Sequence, residues 1–198
     1  MLAGFIRTYP QIELDLNVTD RTVDGIEEGF DAVIRSGEMT DSRLTARKPG
    51  IVHFKLVASP DYLKWRGVPQ QPYDLINHLC LRYRYSCSGK LEPWSLKLPP
   101  GEPELILPAS MIRHNIEARL CFALTGLGIA YLPDFPIREA LPQGRLMAFQ
   151  EDYRVHEGRF YVLWPASKHL APKVRVFVDD MHAHMFAPAG EIPLNAGS

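Results

Sequence analysis

The chain has 198 residues, an apolar fraction of 46% and a formal charge of −1. That length holds one large or two small α/β domains with a real core, and the near-neutral balance gives no electrostatic basis for holding DNA or an anionic membrane unaided. The three cysteines, Cys80, Cys87 and Cys121, form no CxxC pair, which fits a reducing compartment and not a disulfide framework. No apolar run reaches membrane-spanning length, and MLAGFIRTYP lacks the basic n-region and long apolar h-region of a signal peptide, so a cytoplasmic protein is expected.

In chain order, Leu2, Phe5, Ile6 and Tyr9 share one helical face, and Pro10 stops the turn. Ile12, Leu14, Leu16 and Val18 alternate with polar residues and predict a half-buried strand. A short helix over Val23–Glu28, ended by Gly29, and a strand over Asp31–Arg35 follow, an order that reads as a βαβ unit with a parallel sheet. Residues 38–50 are polar and turn-rich. Val52–Ala58 predicts a strand. At Ser59-Pro60-Asp61 an N-cap serine, a proline at the first helical position and an acid in the first turn open a helix that Gly67 closes. Pro72–Asn77 reads as another short helix, Cys80–Tyr83 as a strand, and residues 84–103 as a long hairpin-like excursion around Trp94. Strands are expected near Glu104–Leu107 and Ala109–Arg113.

Residues 115–136 are the most structured stretch to the eye. Asn115 suits an N-cap; Ile116, Leu120, Ala123, Leu124 and Leu127 make an apolar helical stripe. Gly126 is a natural left-handed terminator, Gly128 permits a close approach of backbone or ligand, and Ile129–Leu132 predicts a buried strand ended by Pro133. A strand follows at Leu146–Phe149 and another at Arg159–Trp164, closed by Pro165. From Pro172, the residues Val174, Phe177, Val178, Met181 and Met185 carry the stripe of a helix lying on a sheet. The tail over residues 188–198, rich in Pro, Gly, Asn and Ser, is expected to be disordered.

No catalytic constellation is evident, and neither a metal nor a cofactor is expected. His182 and His184 fall on different faces of a helix, and no HExxH, phosphate-binding loop or GxSxG is present. Cys80 and Cys121 sit in apolar runs and read as buried packing residues; Cys87 lies in a polar loop. Three features suit a small-ligand cleft: Arg35 and Ser36 at a strand's carboxyl end, the anion-favouring helix start at Asn115, and the turn over Gly126–Gly128. Each also has an ordinary structural reading as strand end, cap or turn.

Taken together, the stretches FIRTYPQIELDL (5–16), GIEEGFDAVIRSG (25–37), DSRLTARKPG (41–50), LVASPDYLKWRGVP (56–69), DLINHLCLRY (74–83), HNIEARLCFALTGLGIAYLPDF (114–135), GRLM (144–147) and WPASKHLAPKVRVFVDDM (164–181) resemble the effector-binding domain of LysR-type transcriptional regulators. The resemblance implies an α/β fold of two Rossmann-like subdomains joined by two crossover strands, similar to type 2 periplasmic binding proteins. Subdomain one would take residues 1–57 and 165–187, subdomain two 58–164, with crossovers at Val52–Ala58 and Arg159–Trp164. It further implies a non-enzymatic module that binds a small effector in the cleft. Arg35 and Ser36 are the expected contacts from subdomain one, and Tyr83, Asn115 and Gly128 those from subdomain two. In a full-length regulator the partners would be a second copy, as dimer or tetramer, and DNA through an N-terminal winged helix-turn-helix. That segment, and the first strand of subdomain one, are absent from this sequence, which therefore reads as a fragment or a truncated product. The rival readings are a free-standing periplasmic-type binding protein and an α/β enzyme.

Overall fold

The computed structural model describes residues 2–17, 28–36, 43–46, 50–85, 88–113, 115–153, 157–166 and 171–186. The chain divides into two units: Met1–Val18, Thr22–Val52 and Gly158–Ser198 form the first, Thr19–Arg21 and His53–Glu157 the second.

In the first unit, helix α1 (Leu2–Thr8) buries Phe5, whose ring meets Phe177 edge-on at 5.4 Å and Tyr9 at 5.0 Å. The strand expected over Ile12–Val18 is not formed: residues 12–17 have no regular structure. Ile12 and Leu14 are half-buried between exposed Glu13 and Asp15, as the alternation demands, but Leu16 is 48% exposed and residues 12–17 join no ladder. Val18 and most of the helix expected at Val23–Glu28 lie outside the described residues. Strand β1 (Val33–Ser36) forms two residues later than expected, and it is antiparallel: Val33 faces Leu163 and Ser36 faces Phe160 of β8 (Glu157–Pro165). The parallel pairing inferred from element order is corrected accordingly. Strand β2 (Leu44–Ala46), hidden in the polar stretch, also pairs with β8. Helix α4 (Pro172–Phe186) buries Val174, Val178, Met181 and Met185 along the expected stripe, and Val174 and Val178 pack with Val162 of β8. The tail over residues 188–198 lies outside the described residues.

The second unit is built on a mixed sheet. Strand β3 (Gly50–Ala58) crosses from the first unit at Val52–His53. It pairs antiparallel with β6 (Ile129–Pro133) and with β7 (Met147–Phe149). Strand β4 (Cys80–Tyr83) lies parallel to both β6 and β5 (Met111–Arg113). Alternation sorts the side chains to two faces. Leu56, Cys80, Ile129 and Tyr131 pack with Tyr62, Leu75, Trp94 and Leu107 on one face. Val57, Leu81, Ala130 and Leu132 pack with Ala123, Ile137 and Leu146 on the other. The strand expected at Glu104–Leu107 is not formed; Pro103 and Pro108 bracket it and remove ladder donors, and Leu107 is instead buried singly.

Helix α2 (Pro60–Arg66) starts as its sequence demands: the Ser59 hydroxyl accepts from the Tyr62 N–H at 3.2 Å, and Gly67 ends it at φ +86°. Residues Pro72–Asn77 form a 3-10 helix. Helix α3 (Ile116–Leu124) is capped by Asn115 Oδ1, which accepts from the N–H groups of Glu117 at 2.7 Å and Ala118 at 3.2 Å. Its far end is a Schellman motif, with Gly126 N–H on Ala123 O and Leu127 N–H on Phe122 O. Beyond that turn Leu127 leaves the helical stripe and is 43% exposed. Cys121 is exposed, against expectation, because it lies on the outer face of α3; Cys80 is buried, and burial pushes its thiol up to about 12. Cys87 lies outside the described residues.

The entry to β4 is pinned by a buried pair. The Tyr62 hydroxyl accepts from Leu79 N–H at 2.8 Å and lies 3.2 Å from His78 Nδ1. With its oxygen engaged by Leu79, the hydroxyl is set to donate to Nδ1, which requires a neutral ring. Burial lowers the His78 pKa, Arg66 adds to the lowering, and Asp74 opposes it. A histidine with a depressed folded pKa takes up its proton first in the unfolded chain, so folding stability is lost as pH falls through the ordinary histidine value, about 6.5. Urea midpoints should therefore fall between about pH 7.5 and about pH 5.5 more steeply in the parent than in His78→Gln. Asp134, whose pKa burial raises, acts in the opposite sense and is common to both proteins. Parallel midpoints would show that His78 takes no part.

Candidate functional site

Because β4, β5 and β6 run parallel, their carboxyl ends share one edge of the second unit, where open α/β sheets hold ligands. Tyr83 ends β4 and stands in register with Arg113 of β5, and Asn115 begins α3 two residues on. Asp134 follows β6. Its Oδ1 is buried without a protein partner, and burial raises its pKa against the opposing influence of Arg138, His53 and Lys55.

Behind this edge lies a group that the apolar pattern concealed. Arg119 of α3 is 1% exposed. Its Nη1 donates to Glu92 Oε2 at 2.7 Å and to the Tyr131 carbonyl at 3.1 Å, and its guanidinium lies 4.7 Å from the centre of the Tyr83 ring. Glu92 also donates its N–H to the Tyr83 carbonyl at 2.8 Å and accepts from Arg82 Nη2 on its own carbonyl at 2.9 Å. One glutamate thus ties the excursion after β4 to the end of the strand and to α3, and the ring of Tyr83 rests on the arginine so held. The signal was available: Arg119 falls between Ile116 and Ala123 on the stripe, where a charge has to be paired if it is buried.

The five expected site residues separate. Tyr83 and Asn115 come together at the carboxyl edge. The Asn115 oxygen is spent on the helix cap, so only its amide NH2 is left for a ligand. Gly128 lies at the opposite, amino end of β6, buried beside Leu79, whose carbonyl accepts from Ile129 N–H at 2.8 Å. A Cβ at Gly128 would overlap that carbonyl oxygen and come within 3.2 Å of the Leu79 side chain, so this glycine serves strand packing. Arg35, half-buried, and Ser36, exposed, end β1 in the first unit. Among the described residues no group of His, Cys, Asp and Glu is placed to hold a metal ion, and no helix is long and apolar enough to cross a membrane.

Comparison with known proteins gives a consistent answer. The LysR substrate binding domain family matches residues 1–186. The HTH-type transcriptional regulator YcaN of Escherichia coli K12 is 33% identical over 90% of this chain and 58% of its own length. CrgA of Neisseria meningitidis serogroup C is 33% identical over 88% of this chain and 58% of its own length. The chain therefore spans a little under three-fifths of these curated relatives. Among solved structures, the regulatory domain of CrgA superposes with a TM-score of 0.77 at 30% identity, covering 93% of this chain and 89% of that one. The regulatory domain of AphB from Vibrio vulnificus gives 0.64 at 30% identity, covering 92% and 89%. The fold is that of LysR regulatory domains, the type 2 periplasmic-binding-protein-like α/β fold, and the chain belongs to the LysR substrate-binding domain family.

Proposed function

We propose that the chain is the effector-sensing module of a LysR-type transcriptional regulator and acts in the cytoplasm. Tyr83 and Asn115, at the carboxyl edge of the second unit, would contact the effector, and Arg35 and Ser36 of the first unit are the further contacts we propose. Effector binding would control transcription through a homodimer or homotetramer of the full-length regulator, with DNA held by its N-terminal domain and no catalytic step. The observation that carries this reading is the Tyr83 ring, fixed at the end of a parallel strand by a buried guanidinium. A side chain held so firmly at a sheet's carboxyl end is preorganised for contact. The Asn115 amide and the α3 N-terminus add donors, so the group docking there should be an acceptor or an anion.

The test begins with a thermal-shift screen of small metabolites against the full chain. Binding of the best hit is then measured for Tyr83→Ala and Asn115→Asp. The aspartate keeps the cap oxygen but removes the NH2 donor and adds a negative charge. Each variant should weaken binding about tenfold or more, equivalent to about 1.4 kcal/mol, with Asn115→Asp melting like the parent. Parent-like affinity in both variants would remove this edge from the site.

A further inference from the structure

Three segments of the second unit cover one face of its sheet. Helix α2 supplies Tyr62 and Leu63 to the buried cluster there, the 3-10 helix Pro72–Asn77 supplies Leu75, and the segment before β5 supplies Leu107. The outer sides of the same segments are apolar as well: Trp65 is 69% exposed, Val68 42%, Ile76 49% and Ile106 81%.

These segments are neighbours. Tyr62 joins α2 to the end of the 3-10 helix, with its ring 6.2 Å from Trp65 and 5.9 Å from His78. On the other side, the Tyr73 hydroxyl donates to the Pro103 carbonyl at 2.5 Å and the Cys80 N–H to the Ser110 hydroxyl at 3.2 Å, each pair 30 residues apart. The two stretches therefore run side by side in one register into the β4–β5 ladder, where Leu81 faces Met111. That register lays Ile106 along the helix that carries Ile76.

Two charges bracket the surface. The Arg66 guanidinium lies 4.8 Å from the Trp65 ring centre and acts on His78, at one end of the 3-10 helix. Glu102 acts on Tyr73, at the other end. A two-fold axis through the apolar centre sets Arg66 of each copy against Glu102 of the other, which is the self-complementary arrangement of an isologous contact. A strongly acidic or strongly basic partner would meet a like charge at one end. With a formal charge of −1, two copies also approach without net repulsion. Tryptophan and arginine are the side chains that dominate interface centres, and a run of large exposed apolar groups marks a contact surface.

We propose that the outer face of α2, the 3-10 helix and residues 102–106 is a contact between two copies of this chain, related by a two-fold axis. The contact lies wholly within the second unit and does not rest on the effector reading.

Sedimentation velocity of the full chain over a concentration series reads the association. The parent should associate reversibly, and Trp65→Ser should weaken that step about tenfold or more. Arg66→Glu and Glu102→Arg should each weaken it by a similar factor, and all three variants should melt like the parent because the residues are exposed. An equal mixture of Arg66→Glu and Glu102→Arg should associate like the parent, since pairing of the unlike copies restores opposite charges at both ends. Hydrogen exchange of the parent needs no variant: the amides of residues 64–77 and 102–106 should exchange more slowly at high than at low protein concentration. A parent that stays monomeric would overturn the proposal and leave this face to a different partner. Single variants that associate like the parent, a mixture no better than its components, or protection confined to other segments would overturn it equally.

Discussion

Replacing Glu92 with leucine is expected to cost the second unit about 3–5 kcal/mol, the usual penalty for removing one partner of a buried ion pair. The size follows from what is left behind. Glu92 is the carboxylate for Arg119 and its charge also acts on Arg82, so its loss strands one buried cation and removes a counter-charge from a second. Replacing Arg119 with methionine should cost less, because the freed carboxylate still feels the charge of Arg82. The double variant Glu92→Leu with Arg119→Met should be more stable than the sum of the two losses, since it removes both ends of the pair. Urea denaturation of the four proteins measures all three quantities. Equal losses for the two single variants, adding without coupling, would show that the pair is not the anchor described here.

Gly128→Val should be nearly as damaging, at about 3 kcal/mol, the upper end of what overpacking costs. The added Cβ would overlap the Leu79 carbonyl oxygen, which belongs to backbone held in place by the Ile129 N–H and cannot swing aside. Either β6 or the entry to β4 must move. Gly126→Asn is the matched control. At φ +78°, Gly126 occupies the left-handed region that asparagine also tolerates, and a Cβ there would meet only the Ser59 hydroxyl at 3.3 Å. Thermal melts should therefore drop sharply for Gly128→Val and little for Gly126→Asn. A parent-like melt of Gly128→Val would mean that the turn has slack the geometry does not suggest.

What could be read in advance followed from local chemistry. The Ser59 and Asn115 caps, the glycine that ends α3, strand β4 and the buried stripe of α4 are each set by residues within a few positions of one another, and each formed as expected. What could not be read depended on partners far away in sequence. The residues from Ile12 onward had the right alternation for a strand, and Ile12 and Leu14 are half-buried, but residues 12–17 join no ladder. The direction of β1 was fixed by β8, more than a hundred residues later. The site divided in the same way: Tyr83 and Asn115 were legible as a strand end and a helix start, whereas Gly128 looked like a ligand-side turn until β4 was placed against it. Glu92 carried no signal at all, because it sits in a polar excursion and acquires meaning only through Arg119.

The chain passes from the first unit to the second inside β3 and returns inside β8, so all of the second unit apart from Thr19–Arg21 is a single insertion, His53–Glu157. That arrangement orders the folding reaction. The insertion can close with segments it already holds in sequence. The first must bring Ser36 to Phe160, a loop whose closure entropy grows with the length of free chain between them. Once the insertion has collapsed, that length is no longer free, and the remaining closure pairs β1 with β8. Damage to the Glu92 anchor or to Gly128 would then be felt twice, first in the unit that contains them and again as slower assembly of the unit that does not.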